Sequence, residues 1–178
     1  AVCAGSSAFP GAGILAATGA VRATPSMVRV VGNDSVTTSL PEVVPHASAQ
    51  EKVHAQAWVI GPGRGTDPEA AAELRAVLKR GLPTIIDADA LTVLSTYGDL
   101  RELVRDHPCA VLTPHAGEFE RLYKATLGRE LDLSEGLEIC LQELASALDC
   151  FVLHKGRITT VTAPGQDIYG MNAGHSYA

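Results

Sequence analysis

The sequence lacks a surplus of basic residues. Lys and Arg number 14 against 20 Asp and Glu, giving a formal net charge of −6 and a pI near 5.4. Proteins that grip nucleic acid neutralise phosphates with cations, so this balance argues against such a partner. Long apolar runs are also missing. The most apolar stretch, Gly11 to Val21, contains Thr18 and stops at Arg22, short of the roughly 18–20 residues a membrane-crossing helix needs. The four cysteines, Cys3, Cys109, Cys140 and Cys150, lie far apart in the chain. That spacing excludes a zinc knuckle or a Cys-x-x-Cys redox motif. Each sits in an apolar segment and reads as a buried free thiol of a reducing compartment. No charged segment and cleavage signature opens the chain, so a cytoplasmic protein is expected. Repeats, low-complexity tracts and linkers are absent as well. What remains is 178 residues, 46% hydrophobic and 19% charged, the composition and length of one globular domain.

Short apolar runs alternate with helical patterns. Strands are predicted at Ala1–Ala4, Met27–Val31, Ala57–Ile60, Pro83–Ile86, Ala110–Leu112, Phe151–Leu153 and Thr159–Thr162. Helices are predicted at Ile14–Arg22, Glu69–Arg80, Ala90–Leu94, Leu100–Arg105, Gly117–Tyr123 and Ser134–Leu148. Asp67 before Pro68 suits an N-cap with proline at the first helical position, and Gly81 suits a stop. Continuously apolar strands separated by helices imply an α/β fold with a mostly parallel sheet covered on both faces. In such a sheet the loops after the strands gather at one edge, where ligands bind. Four unusual loops follow strands: Gly5–Gly13, Gly61–Gly65, Asp87–Asp89 and Thr113–Glu118.

Each loop carries two readings. The glycines of Gly61-Pro62-Gly63-Arg64-Gly65 suit either a tight turn or a close backbone approach to a ligand at a helix N-terminus. Asp89 is expected to cap the following helix, while Asp87 stays open as a Mg²⁺ ligand or base. Glu118 sits in a first helical turn, where it complements the dipole or holds Mg²⁺ through water. Its place on the shared edge, with His115 nearby, favours a functional role. His154, Lys155 and Arg157 form a basic patch in an acidic protein and favour an anionic ligand over a plain exposed turn. His46, His54 and His107 read as surface residues.

Together these runs resemble a known family. Ser6-Ser7-Ala8-Phe9-Pro10-Gly11-Ala12 resembles the G-S-x-x-Y-P-G-A loop of the ADP- or ATP-dependent NAD(P)H-hydrate dehydratases, members of the ribokinase-like superfamily. Ile60-Gly61-Pro62-Gly63, Ile86 to Leu91, Leu112 to Phe119 and Leu153-His154-Lys155-Gly156 follow in family order. The resemblance covers nearly the whole chain, and Thr113-Pro114-His115 looks like the bacterial, ADP-using branch. It implies a three-layer α/β/α sandwich with a mostly parallel central sheet, residues 1–178 forming one incomplete domain. It implies an enzyme, a hydro-lyase that uses ADP and Mg²⁺ to return the 6S hydrates of NADH and NADPH to the reduced cofactors, releasing AMP and phosphate. By matched motif, Ala12, Gly63, Gly65 and His115 should contact the hydrate. Glu118 takes the acidic place of the superfamily's N-x-x-E metal motif. Lys155, Gly156, Arg157, Ile158 and Thr159 should line the ADP site, with Asn172 and Gly174 in the N-x-T/A-G segment. The family also suggests a homo-oligomer, a tetramer.

Two departures stand out. His154 replaces the more usual Leu, and the Gly-(Thr/Ser)-Gly-Asp motif that carries the catalytic Asp is absent from residues 1–178. The chain opens inside the apolar run Ala1-Val2-Cys3, and that Asp is expected a few residues beyond Ala178. Exposed ends and no turnover from these residues alone are therefore expected. Two other functions compete: a ribokinase-like kinase of a vitamin precursor, and a non-catalytic nucleotide-binding module.

Overall fold

The computed structural model describes residues 1–23, 26–134 and 136–172. The chain runs β1 (Val2–Cys3), α1 (Pro10–Ala23), β2 (Arg29–Val31), α2 (Val36–Ser39), β3 (Val44–His46), β4 (Trp58–Ile60), α3 (Pro68–Leu78) and β5 (Thr84–Ile86). It continues through α4 (Asp89–Thr96), α5 (Gly98–Arg105), β6 (Ala110–Leu112), α6 (Ala116–Leu127), α7 (Leu137–Leu148), β7 (Phe151–His154), β8 (Thr159–Thr162) and β9 (Tyr169–Met171). The described strands form one sheet in the order β3-β2-β1-β4-β5-β6-β7-β8-β9. β1 to β7 pair in parallel, and β8 and β9 add an antiparallel edge. The order reverses at β1, which lies between β2 and β4. A crevice forms at such a reversal because successive crossovers leave to opposite faces.

Local chemistry sets the element ends. Asp67 Oδ1 accepts from the Ala70 N–H at 2.8 Å, and Pro68 begins α3 where its missing N–H costs nothing. Gly81 takes φ +62° just beyond α3 and Gly128 takes φ +70° beyond α6, conformations that end a helix without Cβ strain. Proline at the first position also explains why α1 starts at Pro10 and not at Ile14. The loop expected over Gly5–Gly13 therefore closes early, and Ala12 lies in the first turn of α1.

Trp58, Ile60, Ile86, Leu112 and Val152 pack on one face beneath apolar side chains of α3 to α7. Fully burying each is worth about 1.5–3 kcal/mol. Val2, Val28 and Val30 pack on the other face with Ala17 of α1 and Val36 of α2. Helices thus cover both faces at β1 and β2. Farther along, the register aligns Val59, Ile85, Val111 and Phe151 in one row. Among the described residues that row has no helix over it, so Ile85 and Phe151 are 41% and 47% exposed. A cavity of about 400 Å³ opens there.

Some expectations change. The strand expected from Met27 begins at Arg29, and α2 and β3 were not anticipated. Both are short, and Pro45 interrupts the alternation within β3. His107 is 7% exposed and therefore not a surface residue. Its Nδ1 accepts the Cys109 N–H at 3.2 Å, and burial holds its pKa below the usual imidazole range. Cys3, Cys140 and Cys150 are buried free thiols, as expected, while Cys109 is half-buried.

Candidate functional site

The parallel strands carry the four loops to one edge, and backbone hydrogen bonds join them there. Gly61 N–H donates to Cys3 O at 3.1 Å, Gly5 N–H to Pro62 O at 2.7 Å, and Asp87 N–H to Ile60 O at 3.0 Å. Thr113 N–H donates to Ile86 O at 3.1 Å and Lys155 N–H to Pro114 O at 2.8 Å. The edge is continuous from β1 to β7.

Glycine is required where these loops touch. Gly61 has φ +127°, and a Cβ there would overlap the Asp87 carbonyl oxygen. Gly63 has φ +67°, and its Cβ would lie 2.7 Å from Cβ of Ala12 and 3.0 Å from Cβ of Phe9. Gly63 and Ala12, two expected hydrate contacts, are therefore neighbours across the β1–α1 and β4–α3 loops. Gly65 faces open space, and its N–H donates to Asp89 Oδ2 at 2.8 Å. This corrects the capping role expected of Asp89. The N-cap of α4 is Ala88, whose methyl side chain makes no capping bond; Asp89 instead ties down a loop 24 residues earlier.

His115 is the N-cap of α6 and is half-exposed. Its Nδ1 accepts the Gly117 N–H at 3.1 Å. Glu118 Oε2 accepts the His115 N–H at 2.9 Å, and Glu118 Oε1 lies 3.3 Å from His115 Nε2. Glu118 thus serves as a helix-start residue, and it is buried while doing so, at 7% exposure. Lys155 Nζ reaches back across β6 to Asp87 Oδ1 at 2.6 Å and stands 3.9 Å from Glu118 Oε2. Two carboxylates from two loops share one ammonium. No group of three or more His, Cys, Asp or Glu side chains among the described residues is arranged to hold a metal.

Beyond β7 the chain turns at Gly156 and Arg157 and enters β8. Arg157 and Ile158 are exposed, and Thr159 pairs with Met171. Since β9 runs antiparallel to β8, Asn172 ends at the same edge as Lys155. Gly174 lies outside the described residues. His154 does not join the basic patch. It is 8% exposed, packed edge-on to Phe119 at 5.5 Å. Burial first, and the neighbouring His115 second, lower its pKa from 6.5.

Sequence reasoning did not single out Arg64 and Glu73. Arg64 Nε donates to Glu73 Oε2 at 2.9 Å, and a second guanidinium nitrogen pairs with Glu73 Oε1. Burial works against the Arg64 charge, yet the Glu73 hydrogen bond leaves its pKa above the ordinary value. A signal existed: Glu73 lies on the apolar stripe of α3 with Ala70, Leu74 and Val77, where a carboxylate requires a buried partner.

Comparison with known proteins places this edge in context. A family model described as NAD(P)H-hydrate dehydratase matches residues 1–178. The bifunctional NAD(P)H-hydrate repair enzyme of Corynebacterium glutamicum is 44% identical over 188 aligned residues, covering 99% of this chain and 32% of that protein. The ADP-dependent (S)-NAD(P)H-hydrate dehydratase of Neisseria meningitidis is 30% identical, covering 99% of this chain and 62% of its own length. The crystal structure of the Bacillus subtilis ADP/ATP-dependent dehydratase, co-crystallised with ATP and Mg²⁺ and soaked with CoA, superposes with a TM-score of 0.78 at 26% identity. It covers 98% of this chain and 65% of that one. The fold is ribokinase-like. The chain therefore spans about a third of the bifunctional relative and under two thirds of the others.

Proposed function

This chain belongs to the NAD(P)H-hydrate dehydratase family, and we propose that it forms most of the site of an ADP-dependent dehydratase acting on hydrated NADH and NADPH. One observation carries the reading. The edge divides into a close-packed, glycine-lined half at β1 and β4 and a cationic half at Lys155, with His115 and Glu118 between them. A nicotinamide hydrate fits against Ala12, Gly63, Gly65 and His115. A diphosphate fits against Lys155 to Thr159, extended by Asn172.

The chemistry suits that division. Phosphorylating the C6 hydroxyl makes it a leaving group, and the ring nitrogen lone pair then expels phosphate. ADP becomes AMP, and loss of a C5 proton to solvent then restores the carbon–carbon double bond of NADH or NADPH. Lys155 offsets charge on the diphosphate by direct contact. The half-exposed His115 ring, its Nε2 3.3 Å from Glu118 Oε1, contacts the hydrate from the β6 side. Glu118 and Asp87 present hard oxygen donors on either side of Lys155, a set that fits a hydrated Mg²⁺ arriving with the nucleotide better than a dedicated protein cage. Such an ion, when bound, neutralises charge on the transferring phosphoryl group. The same reading carries a cytoplasmic homo-oligomer.

The test is direct. Protein expressed from the whole gene is incubated with hydrated NADH, ADP and Mg²⁺, and the NADH absorbance band is followed. Recovery of the band with AMP and phosphate release is expected. No recovery with ADP or ATP would overturn the reading.

A further inference from the structure

We propose that Arg64, held by Glu73, is the positioning residue of the hydrate half: it fixes the gap between the β1–α1 and β4–α3 loops and so governs hydrate binding, not nucleotide binding. The inference rests on the reading above for the identity of the ligand, but its geometry stands alone. Arg64 Nη1 donates to Gly5 O at 2.7 Å and to Gly32 O at 3.2 Å. The Nε and Nη2 side of the same guanidinium engages both oxygens of Glu73. One planar ion thereby joins the loops after β1, β2 and β4 to helix α3. Its side chain is 13% exposed and that of Glu73 is 7% exposed.

Only arginine serves here, because the bonds leave one rigid fork in different directions. A lysine offers a single point of donors. The site is built around the fork: Gly32 has φ +72°, and a Cβ there would lie 2.6 Å from Arg64 Nη1. The Gly5 N–H to Pro62 O bond closes the same gap from the backbone side. The next residue along from Pro62 is Gly63, packed on Ala12 and Phe9. Freeing Arg64 therefore loosens the contact that shapes the hydrate half. Lys155 lies beyond β5 and β6 and is not touched by the change.

The chemistry of buried pairs supplies a clean test. Removing one partner strands a buried charge, whereas replacing both with apolar side chains of similar volume is often neutral for stability. In protein from the whole gene, the double variant R64M/E73L is expected to keep a wild-type Tm. Its KM for hydrated NADH should rise about tenfold or more, with KM for ADP within about twofold. Arg64→Lys, which keeps the charge and loses the fork, should shift the hydrate KM in the same direction. If R64M/E73L fails to fold, Arg64→Lys decides alone. A hydrate KM within about twofold of wild type, or equal shifts for hydrate and ADP, would overturn the proposal. Amide exchange, read on the same proteins without substrate, should quicken over residues 5–13 and 61–65 and hold over 110–123. If the wild type itself shows no dehydration, the functional reading fails, and exchange still decides the positioning role: unchanged protection over 5–13 overturns it.

Discussion

Replacing Lys155 with Met separates the cationic half from the rest of the edge. In the ligand-free protein the ammonium already has a partner, Asp87 Oδ1 at 2.6 Å, with Glu118 Oε2 at 3.9 Å. Its side chain is 33% exposed, so water screens the pair and its share of fold stability is small. The effect on an incoming diphosphate is larger. One charge-assisted hydrogen bond is worth about 1.5–3 kcal/mol, which is roughly a 10- to 150-fold rise in Kd for ADP. The two carboxylates left behind then face the anion without a cation between them, pushing the result toward the upper end. Isothermal titration calorimetry with ADP measures it, and the loss should shrink as salt is raised. Asp87→Asn is the control. It breaks the same ion pair but keeps the cation, so affinity for ADP without added divalent cation should hold or tighten. If Lys155→Met binds ADP within about threefold of wild type at unchanged Tm, the assignment of Lys155 to the nucleotide is wrong.

Other outcomes follow from the geometry. Gly61→Ala places a Cβ against the Asp87 carbonyl oxygen and 2.7 Å from Cβ of Ala90 at φ +127°. It should cost at least about 3 kcal/mol in a urea melt, and a loss under about 1 kcal/mol would contradict the packing. Burial and then His115 depress His154, and burial depresses His107. The unfolded chain therefore takes up these protons first, and stability should fall as pH drops below about 6.5 until the folded imidazoles also protonate. His154→Leu should flatten part of that slope in Tm against pH; an unchanged slope counts against its burial. Burial pushes the Cys3 and Cys150 thiols up to about 12, so at pH 8 a thiol reagent should label half-buried Cys109 first. Rapid labelling of all four would refute this.

The sequence made the strand-end loops legible because each is punctuated locally. Gly61 and Gly63 follow an apolar strand, Asp67-Pro68 announces α3, and Pro114 breaks the chain before α6. Partners distant in sequence were not legible. Asp89 looked like a cap because the residues after it are helical, yet its donor is Gly65, on another loop. Lys155 and Asp87 are 68 residues apart, and nothing in either segment announces the other. His154 looked like part of a charged run because Lys155 and Arg157 follow it. The alternation of β7 instead sends it inward with Val152. The short α2 and β3 carry too few residues for a period to show.

The ambiguity of Glu118 has a different origin, since its two readings describe one arrangement. At the carboxyl edge of a parallel sheet each following helix begins facing the crevice, so a residue in its first turn is both a terminus partner and a lining group. Glu118 satisfies the His115 N–H and still lies 3.9 Å from Lys155. Asp87 does the corresponding work from the next loop. The edge thus carries an excess of negative charge before any ligand arrives: two carboxylates and one ammonium. A diphosphate entering there must compete for Lys155 with carboxylates already in place, so bare phosphate groups gain little. An anion that brings its own compensating cation pays no such penalty, because Asp87 and Glu118 then find a new partner as Lys155 turns to the phosphate. Nucleotide binding at this edge should therefore depend on divalent cation far more in the wild type than in D87N/E118Q, where no carboxylate is left to be satisfied.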